Sequence, residues 1–373
     1  MLQRKHILKF SCVGSDCIDH CCGEWTVKLN AEDVNLLQKN LSQQEQQQVV
    51  TSFGSFHKIT QTEGKCAAQC KSGLCTIQQR FGHAALPSVC ASFPRFYGKT
   101  TVQSEMGGFL SCPEIARISL MQPDGNQLES NDSYGRAVLD IDISQKEGIY
   151  YSRFHQIRDI VTNLLSNKEK SLAVVLYAVG EFSKRSPAFF NRNAVEDKIP
   201  ILIQDMETSF LQSPVLREDD RSLVWDAVFA EANRFAAQKL PYAKPAKLLR
   251  DALRSFDNAD AFLSTEKILW KQNQHEMEEI WRRFFIHDWN VRWYVHSADL
   301  VMHWERTLFK WAINRIMVAS NEKQWKSSVV QSVYSTERLV EHTVWQRQFA
   351  RAFWPLRLPI GRLFLAFHPR SLN

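Results

Sequence analysis

The placement of cysteine constrains this chain more than any other feature. All nine cysteines lie between Cys12 and Cys112, and the longer remainder of the 373 residues contains none. Their spacing follows the pattern Cys12-x4-Cys17-x3-Cys21-Cys22, then Cys66-x3-Cys70-x4-Cys75, then Cys90 and Cys112. Thiolates at such short separations can converge on a metal ion or an iron–sulfur cluster once the intervening chain turns back. The sequence therefore predicts a soft-metal site in the first third of the chain.

The bulk composition argues against several classes of protein. Apolar residues make up 44% of the chain and charged residues 23%, which is ordinary for a globular protein. The net charge of +6 is mild, and no block of consecutive basic residues suggests a nucleic-acid arm. No apolar run reaches the ~18 residues that span a bilayer, and Met1 to Phe10 lack the apolar core of a secretory signal. We expect a cytoplasmic protein without nucleic-acid or membrane partners, in which clustered cysteines bind metal rather than form disulfides.

Turn signals suggest how the chain is divided. The segments PDGNQ and ESNDSYG lie in a turn-rich zone between Gln122 and Gly148. We expect a cysteine-rich, metal-binding module of loops and helices over residues 1–121, a linker over 122–149, and an α-helical domain over 150–373. The predicted fold class is mainly α, with the module packed on the helical domain.

Several helices can be predicted from local patterns. Asn30 precedes a helical run as its cap, with Asp33 at the third helical position. Leu172 to Gly180 could form a buried strand, but its continuation without a second glycine favours a helix. Nine of the eleven tryptophans fall between Trp270 and Trp354. Five of them, Trp281, Trp289, Trp293, Trp304 and Trp311, are separated by eight, four, eleven and seven residues, all near whole helical turns. This spacing favours a helix-bundle core over an aromatic wall for a cofactor.

Four segments make the cysteine pattern specific. They are FSCVGSDCIDHCCGEW (Phe10 to Trp25), GLCTIQQRFG (Gly73 to Gly82), CASFPR (Cys90 to Arg95) and SCPEIAR (Ser111 to Arg117). In order and spacing they resemble the flagellin lysine-N-methylase family of flagellated bacteria, over residues 1–120. Parts of the pattern also resemble a broader family of small zinc- or iron-chelating proteins.

The resemblance implies an enzyme that uses S-adenosylmethionine to methylate lysine side chains of flagellin and that carries an iron–sulfur centre. Carried over residue by residue, the metal positions fall on Cys12, Cys17, Cys21, Cys22, Cys66, Cys75, Cys90 and Cys112. The family usually shows Cys-Pro-Phe-Leu where this chain has Cys66-Ala67-Ala68-Gln69. Cys70 lies outside the family pattern and is the expected spare thiol.

Spacing alone leaves the kind of centre open. Eight thiols could hold one [4Fe–4S] cluster with four left over, or two sites, and zinc is the alternative metal. A cluster with four cysteine ligands has no open position for substrate, so we expect it to be mainly structural. The radical motif Cys-x3-Cys-x2-Cys is absent from the sequence. Direct displacement on the sulfonium methyl is therefore the better hypothesis.

The catalytic residues carry a weaker signal. A carboxylate or a tyrosine near the substrate amine would assist transfer, and the candidates near the family-like segments are Glu105, Glu114 and Tyr97. No glycine-rich loop follows an apolar strand, so we place the cofactor pocket by hypothesis in the helical domain. Two other functions stay open: a non-catalytic metal-binding module joined to a protein-interaction domain, and an iron–sulfur redox protein.

Overall fold

The computed structural model of this chain describes residues 1–23, 25–131, 137, 139–190, 218–238, 240, 242–291 and 300–341. The chain separates into two compact units. One consists of Met1–Gln145 with Lys239–Ala246 and is called the N-terminal unit; the other consists of Lys146–Gln238 with Lys247–Asn373 and is called the helical unit.

Three small sheets form much of the N-terminal unit. Their strands are β1 (Leu2–Arg4), β2 (Lys28–Leu29), β3 (Val50–Phe53), β4 (Phe56–Ile59), β5 (Gln61–Thr62), β6 (Lys65–Cys66), β7 (Arg95–Lys99), β8 (Ser104–Gly108), β9 (Leu128–Ser130) and β10 (Leu139–Asp142). The largest sheet has the order β10-β7-β8-β1-β9, the second has the order β2-β4-β3, and β5 pairs with β6. The hairpin of β7 and β8 lies at the centre of the largest sheet, where Phe96 and Met106 are buried.

Short helices connect these strands. They are α1 (Lys5–Leu8), α2 (Ala31–Asn40), α3 (Gln43–Val49), α4 (Thr76–Phe81), α5 (Ser88–Ser92) and α6 (Pro113–Met121). The predicted cap of α2 is confirmed: the Asp33 N–H donates to the Asn30 side chain at 2.8 Å, and the Asn30 N–H donates to the Asp33 carboxylate at 3.1 Å. Helix α6 begins at Pro113, whose missing N–H would have had no helical partner in the first turn.

The N-terminal unit contains sheets that the expected module of loops and helices did not include. Its strands are short, and the largest sheet joins strands far apart in sequence, so they leave little periodic signal. The segment 122–149, expected to be a linker, supplies β9 and β10 to that sheet. β9 pairs antiparallel with β1 and β10 pairs parallel with β7. The compact unit accordingly extends through Gln145.

Helices make up the described part of the helical unit. They are α7 (Ile149–Ser152), α8 (Phe154–Ser166), α9 (Leu172–Phe190), α10 (Glu218–Ala236), most of α11 (Ala243–Arg254), α12 (Ala259–Val291), α13 (Leu300–Ala319) and α14 (Trp325–Glu341). A mainly α architecture is thus confirmed for the chain, and Leu172 to Gly180 is helical as predicted. Among the described residues, no helix is long and apolar enough to cross a membrane.

The tryptophan-rich region forms a helical core, as predicted. Trp281, Trp289, Trp304 and Trp311 are almost completely buried. The rings of Trp281 and Trp311 meet edge to face with centroids 6.4 Å apart, and Phe285 contacts Trp311 at 5.3 Å. These rings fill the interior between α12 and α13 and stabilise it through buried area. Trp293, Trp345 and Trp354 lie outside the described residues.

Candidate metal centre

Five cysteines line one small cavity in the N-terminal unit. The cavity has a volume of about 70 Å³, and its thiols belong to Cys21, Cys22, Cys66, Cys75 and Cys90. They come from four places in the chain: the turn before Trp25, the end of β6, the start of α4 and the middle of α5. The fold therefore gathers thiols from across almost 70 residues of sequence, from Cys21 to Cys90.

Backbone hydrogen bonds hold these segments around the cavity. The Cys66 N–H donates to the Cys22 carbonyl at 3.0 Å, and Gly23 forms an isolated antiparallel bridge with Lys65. The Thr76 N–H donates to the Ala68 carbonyl at 2.8 Å, which fixes the start of α4 just after Cys75. These bonds set the positions of three of the four cysteine-bearing segments.

The remaining cavity wall is mainly apolar, with Gln61 and Gln78 as its polar residues. Val27, Ile59, Ala68, Ile77 and Leu86 line it and belong to the core of the N-terminal unit. Trp25 and Phe93 close the wall, with ring centroids 6.1 Å apart. The described residues that line the cavity include no lysine, arginine or histidine. The thiols thus lie in a low-dielectric space whose described lining residues include no cation.

This setting raises the pKa of three of the thiols, those of Cys22, Cys66 and Cys90. The pKa of Cys22 is raised well above its usual range by a hydrogen bond with Cys21, by burial and by the nearby thiols of Cys66 and Cys75. Burial is the largest cause that raises the pKa of Cys66 and of Cys90, and neighbouring thiols add to both. A bound metal reverses this preference, because its positive charge favours the thiolate form.

The side chains are near one another without forming a finished ligand set. Among the described residues, no group of three or more His, Cys, Asp or Glu side chains is arranged so that it could hold a metal ion. The described residues form a cavity and supply sulfur donors to it. Their sulfur atoms do not converge on one point as a bound ion would require. The donor set fits a soft metal by its chemistry, since four thiolates are a common ligand set for an iron–sulfur cluster or zinc.

The other predicted ligands lie outside the cavity wall. Cys12 is exposed, and the Cys17 thiol donates to the Asp19 carbonyl at 3.1 Å. Cys112 is buried beside Ile7, Met106 and Ile115 at the start of α6. Burial raises the pKa of Cys112 to about 12. Five of the eight predicted ligands thus line the cavity and these three do not, although the thiols of Cys21 and Cys17 are close enough to Cys112 to contribute to its raised pKa.

Cys70, the expected spare thiol, also lies outside the cavity wall. Its sulfur is 2.9 Å from the Ser72 hydroxyl, and this hydrogen bond is the main cause that lowers the pKa of Cys70. Cys70 and Cys75 are five residues apart, yet only Cys75 lines the cavity. The pair therefore offers a matched comparison for mutagenesis.

The candidate catalytic residues lie elsewhere in the N-terminal unit, and none of them lines the cavity. Glu105 is buried on β8, where Arg4 donates to its carboxylate at 3.3 Å and Gln103 also donates to it. Glu114 pairs with Arg117 at 2.6 Å on α6. The Tyr97 hydroxyl donates to Ser104 at 2.9 Å.

A buried ionic cluster in the helical unit was missed by the sequence analysis. Lys310 on α13 contacts the Asp288 carboxylate of α12 and lies 2.8 Å from the Glu337 carboxylate of α14. The Thr307 hydroxyl donates to Asp288 at 2.5 Å, and all of these side chains are essentially inaccessible to solvent. Its sequence signal is Lys310 itself, which stands between Phe309 and Trp311 at a core position of an apolar helix.

A second buried ion pair lies in the same helical core. The Arg315 guanidinium donates to both Glu266 carboxylate oxygens, at 2.5 and 2.6 Å. The Arg315 Cζ atom lies 4.8 Å from the Trp225 ring centroid and 4.5 Å from the Trp311 ring centroid. The Arg315 guanidinium and the Glu266 carboxylate therefore neutralise each other, and the pair links α12 to α13.

Comparison with known proteins identifies relatives of this chain. It is 30% identical over 151 residues to the flagellar biosynthetic protein FliU of Salmonella muenchen, a match that covers 35% of this chain and 82% of that protein. The chain belongs to the FliU family. No family model and no solved structure matches it.

Two further relatives of this FliU-family chain carry an enzymatic name. They are the lysine-N-methylases of Salmonella typhimurium and Salmonella choleraesuis, each 31% identical over 133 residues. The match covers 33% of this chain, and the chain spans about a third of the length of each of these two relatives.

Proposed function

We propose that this protein is an S-adenosylmethionine-dependent methyltransferase that methylates lysine side chains of flagellin. The observation that carries this proposal is the similarity to two proteins named lysine-N-methylase. Membership of the FliU family supports a flagellar protein as the substrate. The four cysteine-containing segments, which resemble flagellin lysine-N-methylases, point to the same reaction.

The proposed reaction is a direct displacement. A lysine amine has a pKa near ~10.4, so it must lose a proton before it can act as a nucleophile at neutral pH. The neutral nitrogen then forms a bond to the sulfonium methyl carbon while the carbon–sulfur bond breaks, and the electron pair remains on the departing thioether sulfur. The methylated ammonium later releases a proton to water or to a base. The nitrogen must lie roughly 3–3.5 Å from the methyl carbon, in line with the sulfur.

We propose that the five-cysteine cavity holds a [4Fe–4S] cluster with a mainly structural role, zinc being the alternative. Cys21, Cys22, Cys66, Cys75 and Cys90 form the pool from which four ligands would come. Such a centre would link the turn before Trp25 to β6, α4 and α5, a region whose regular elements are only two to six residues long. Metal binding to such short elements contributes directly to folding free energy.

Neither carboxylate candidate is a ready base in the described structure. Glu105 is paired with Arg4 and Glu114 with Arg117, so a structural role is sufficient for both carboxylates. Tyr97 is partly buried and donates to Ser104. We therefore propose that transfer takes place outside the cysteine-lined cavity and that the cofactor binds in the helical unit.

Methyl transfer can be tested by incubating anaerobically purified protein with flagellin and S-adenosylmethionine labelled in its methyl group. The proposal expects label on flagellin lysine side chains, located by mass spectrometry of peptides. The matched control is a flagellin sample whose lysine amines have been blocked by reductive alkylation. Label that fails to reach lysine, with the cofactor and the metal both bound, would contradict methyl transfer.

The same preparation separates the alternative functions. A non-catalytic metal-binding module would contain metal and transfer no label. A redox protein would instead show reversible bleaching of its visible absorbance on reduction, at a potential accessible to iron–sulfur centres. The metal content and the methyl transfer are therefore measured on one sample.

A further inference from the structure

One face of the sheet β2-β4-β3 carries an uncommon combination of side chains. Residues directly opposite each other in an antiparallel pair lie on the same face of a sheet. The register places Phe53 opposite Phe56, Thr51 opposite Lys58, and Lys28 opposite Lys58. These five residues therefore share one face, which we call the Phe–Lys face.

The two faces of this sheet differ sharply in burial. Leu29 and Ile59, on the opposite face, are buried in the core of the N-terminal unit. On the Phe–Lys face, 65% of Phe53 and 39% of Phe56 are exposed. Two exposed aromatic rings side by side form an apolar patch of the kind that marks an interaction surface.

Both lysines of the face lie against the aromatic rings. The Lys28 ammonium is 5.9 Å from the Phe56 ring centroid, and the Lys58 ammonium is 5.8 Å from that of Phe53. In the part of the chain that the structure describes, neither ammonium forms an ion pair with a carboxylate. The face is therefore both apolar and cationic, and it complements a partner that carries carboxylates beside apolar side chains.

The backbone of β3 offers a second kind of contact. β3 is the outermost strand of its sheet, and no described strand pairs with its outer edge. The turn at Gly54, whose φ is +60°, brings Phe53 and Phe56 together at the end of the hairpin. An open strand edge can accept an extended peptide through main-chain hydrogen bonds, with alternate side chains of the peptide directed to one face.

We propose that the Phe–Lys face and the open edge of β3 bind an extended acidic segment of another polypeptide. The segment would pair with β3, place carboxylates near Lys28 and Lys58, and place an apolar side chain over Phe53 and Phe56. A polypeptide fits better than a nucleic acid, which needs a longer positively charged track than two lysines provide. This proposal depends neither on the metal centre nor on methyl transfer.

The direct test is fluorescence anisotropy of the full chain with a labelled peptide of alternating glutamate and valine residues. We expect binding that weakens with added salt. The double variant Lys28→Glu/Lys58→Glu should lower the affinity by at least ~10-fold, because it opposes the peptide charge. Phe53→Ser should lower it by about 10-fold through loss of an apolar anchor. The two variants act through different interactions, so either remains informative if the other fails to fold.

Matched controls come from the same unit. Lys39→Glu reverses an exposed lysine on α2, and Val102→Ser removes an exposed apolar side chain from the turn between β7 and β8. Both should leave the affinity within about twofold of the starting protein. Absence of peptide binding, equal losses in these controls, or tighter binding of a labelled oligothymidylate than of the peptide would overturn the proposal. Circular dichroism of every variant verifies the fold.

Discussion

The cysteine-lined cavity and the ionic cluster of the helical unit differ in the partners that surround their buried polar groups. In the cavity, five thiols have mainly one another and apolar side chains as neighbours. In the helical unit, Lys310 lies between Asp288 and Glu337, so the buried charges already have opposite charges beside them. The first arrangement would gain stability from the proposed metal, whereas the second pairs its buried charges within the chain.

Loss of a cavity thiol should have the largest effect. Cys22→Ser or Cys75→Ser should remove most of the bound metal and much of the soluble protein, because metal binding and folding of the short surrounding elements are linked. Metal analysis and the soluble yield measure both effects. Cys70→Ser is the matched control and should change neither; a similar loss in that variant would place Cys70 among the ligands.

Removal of the central cation should damage the helical unit without involving metal. Lys310→Met leaves Asp288 and Glu337 buried near each other, which should lower the free energy of unfolding by about 3–5 kcal/mol. Lys326→Met is the matched control, since its partner Glu276 is exposed and such surface pairs contribute about 0–1 kcal/mol. Denaturant unfolding compares the two variants. Equal losses of unfolding free energy in the two variants would show that Lys310 does not stabilise the buried Asp288 and Glu337 carboxylates.

Acid should weaken the N-terminal unit through His6, a group outside the cavity. His6 is fully buried; its Nδ1 lies 3.0 Å from the Gly125 carbonyl, and the Gly108 N–H donates to its Nε2 at 2.9 Å. Burial, with a smaller contribution from Arg4, lowers its pKa to about 3. The unfolded chain therefore binds the proton first, so stability is complete above about pH 6.5 and is lost as the pH falls towards 3.

This loss should reach about 3 kcal/mol between pH 7 and pH 4. Urea unfolding at several pH values measures it. His6→Gln can keep both hydrogen bonds without the titration, so its unfolding free energy should change less over the same range. An identical pH dependence in the two proteins would assign the acid sensitivity to other groups.

Loss of the Asn30 helix cap should have the smallest effect on stability. Asn30→Ala removes the side-chain cap of α2, whose Leu37 packs in the core next to the cavity, and should lower the free energy of unfolding by about 1 kcal/mol. The metal content should stay the same. A fall in metal content would mean that the cavity depends on α2 as well as on its own thiols.

The sequence predicted local features, such as helix caps and helical periodicity, better than it predicted contacts between residues distant in sequence. The cap at Asn30 and the tryptophan core follow local rules of capping and helical periodicity, so both could be read directly. The crowding of cysteines indicated a thiol site, but its membership depends on pairings such as that of Cys66 with Cys22, which join residues 44 positions apart. The sheet was missed because its strands are short and distant in sequence. Lys310 was missed because lysine is normally exposed, and only its position in the folded helix shows its burial.

We propose that four of the five cavity thiols bind an iron–sulfur cluster, and the iron and acid-labile sulfide content of anaerobically purified protein tests this directly. We expect about four of each per chain, with broad visible absorbance, for the starting protein and for Cys70→Ser. Cys75→Ser should lose most of both. A folded protein free of iron and sulfide would contradict the proposed cluster. Full iron content in Cys75→Ser would exclude Cys75 from the four ligands.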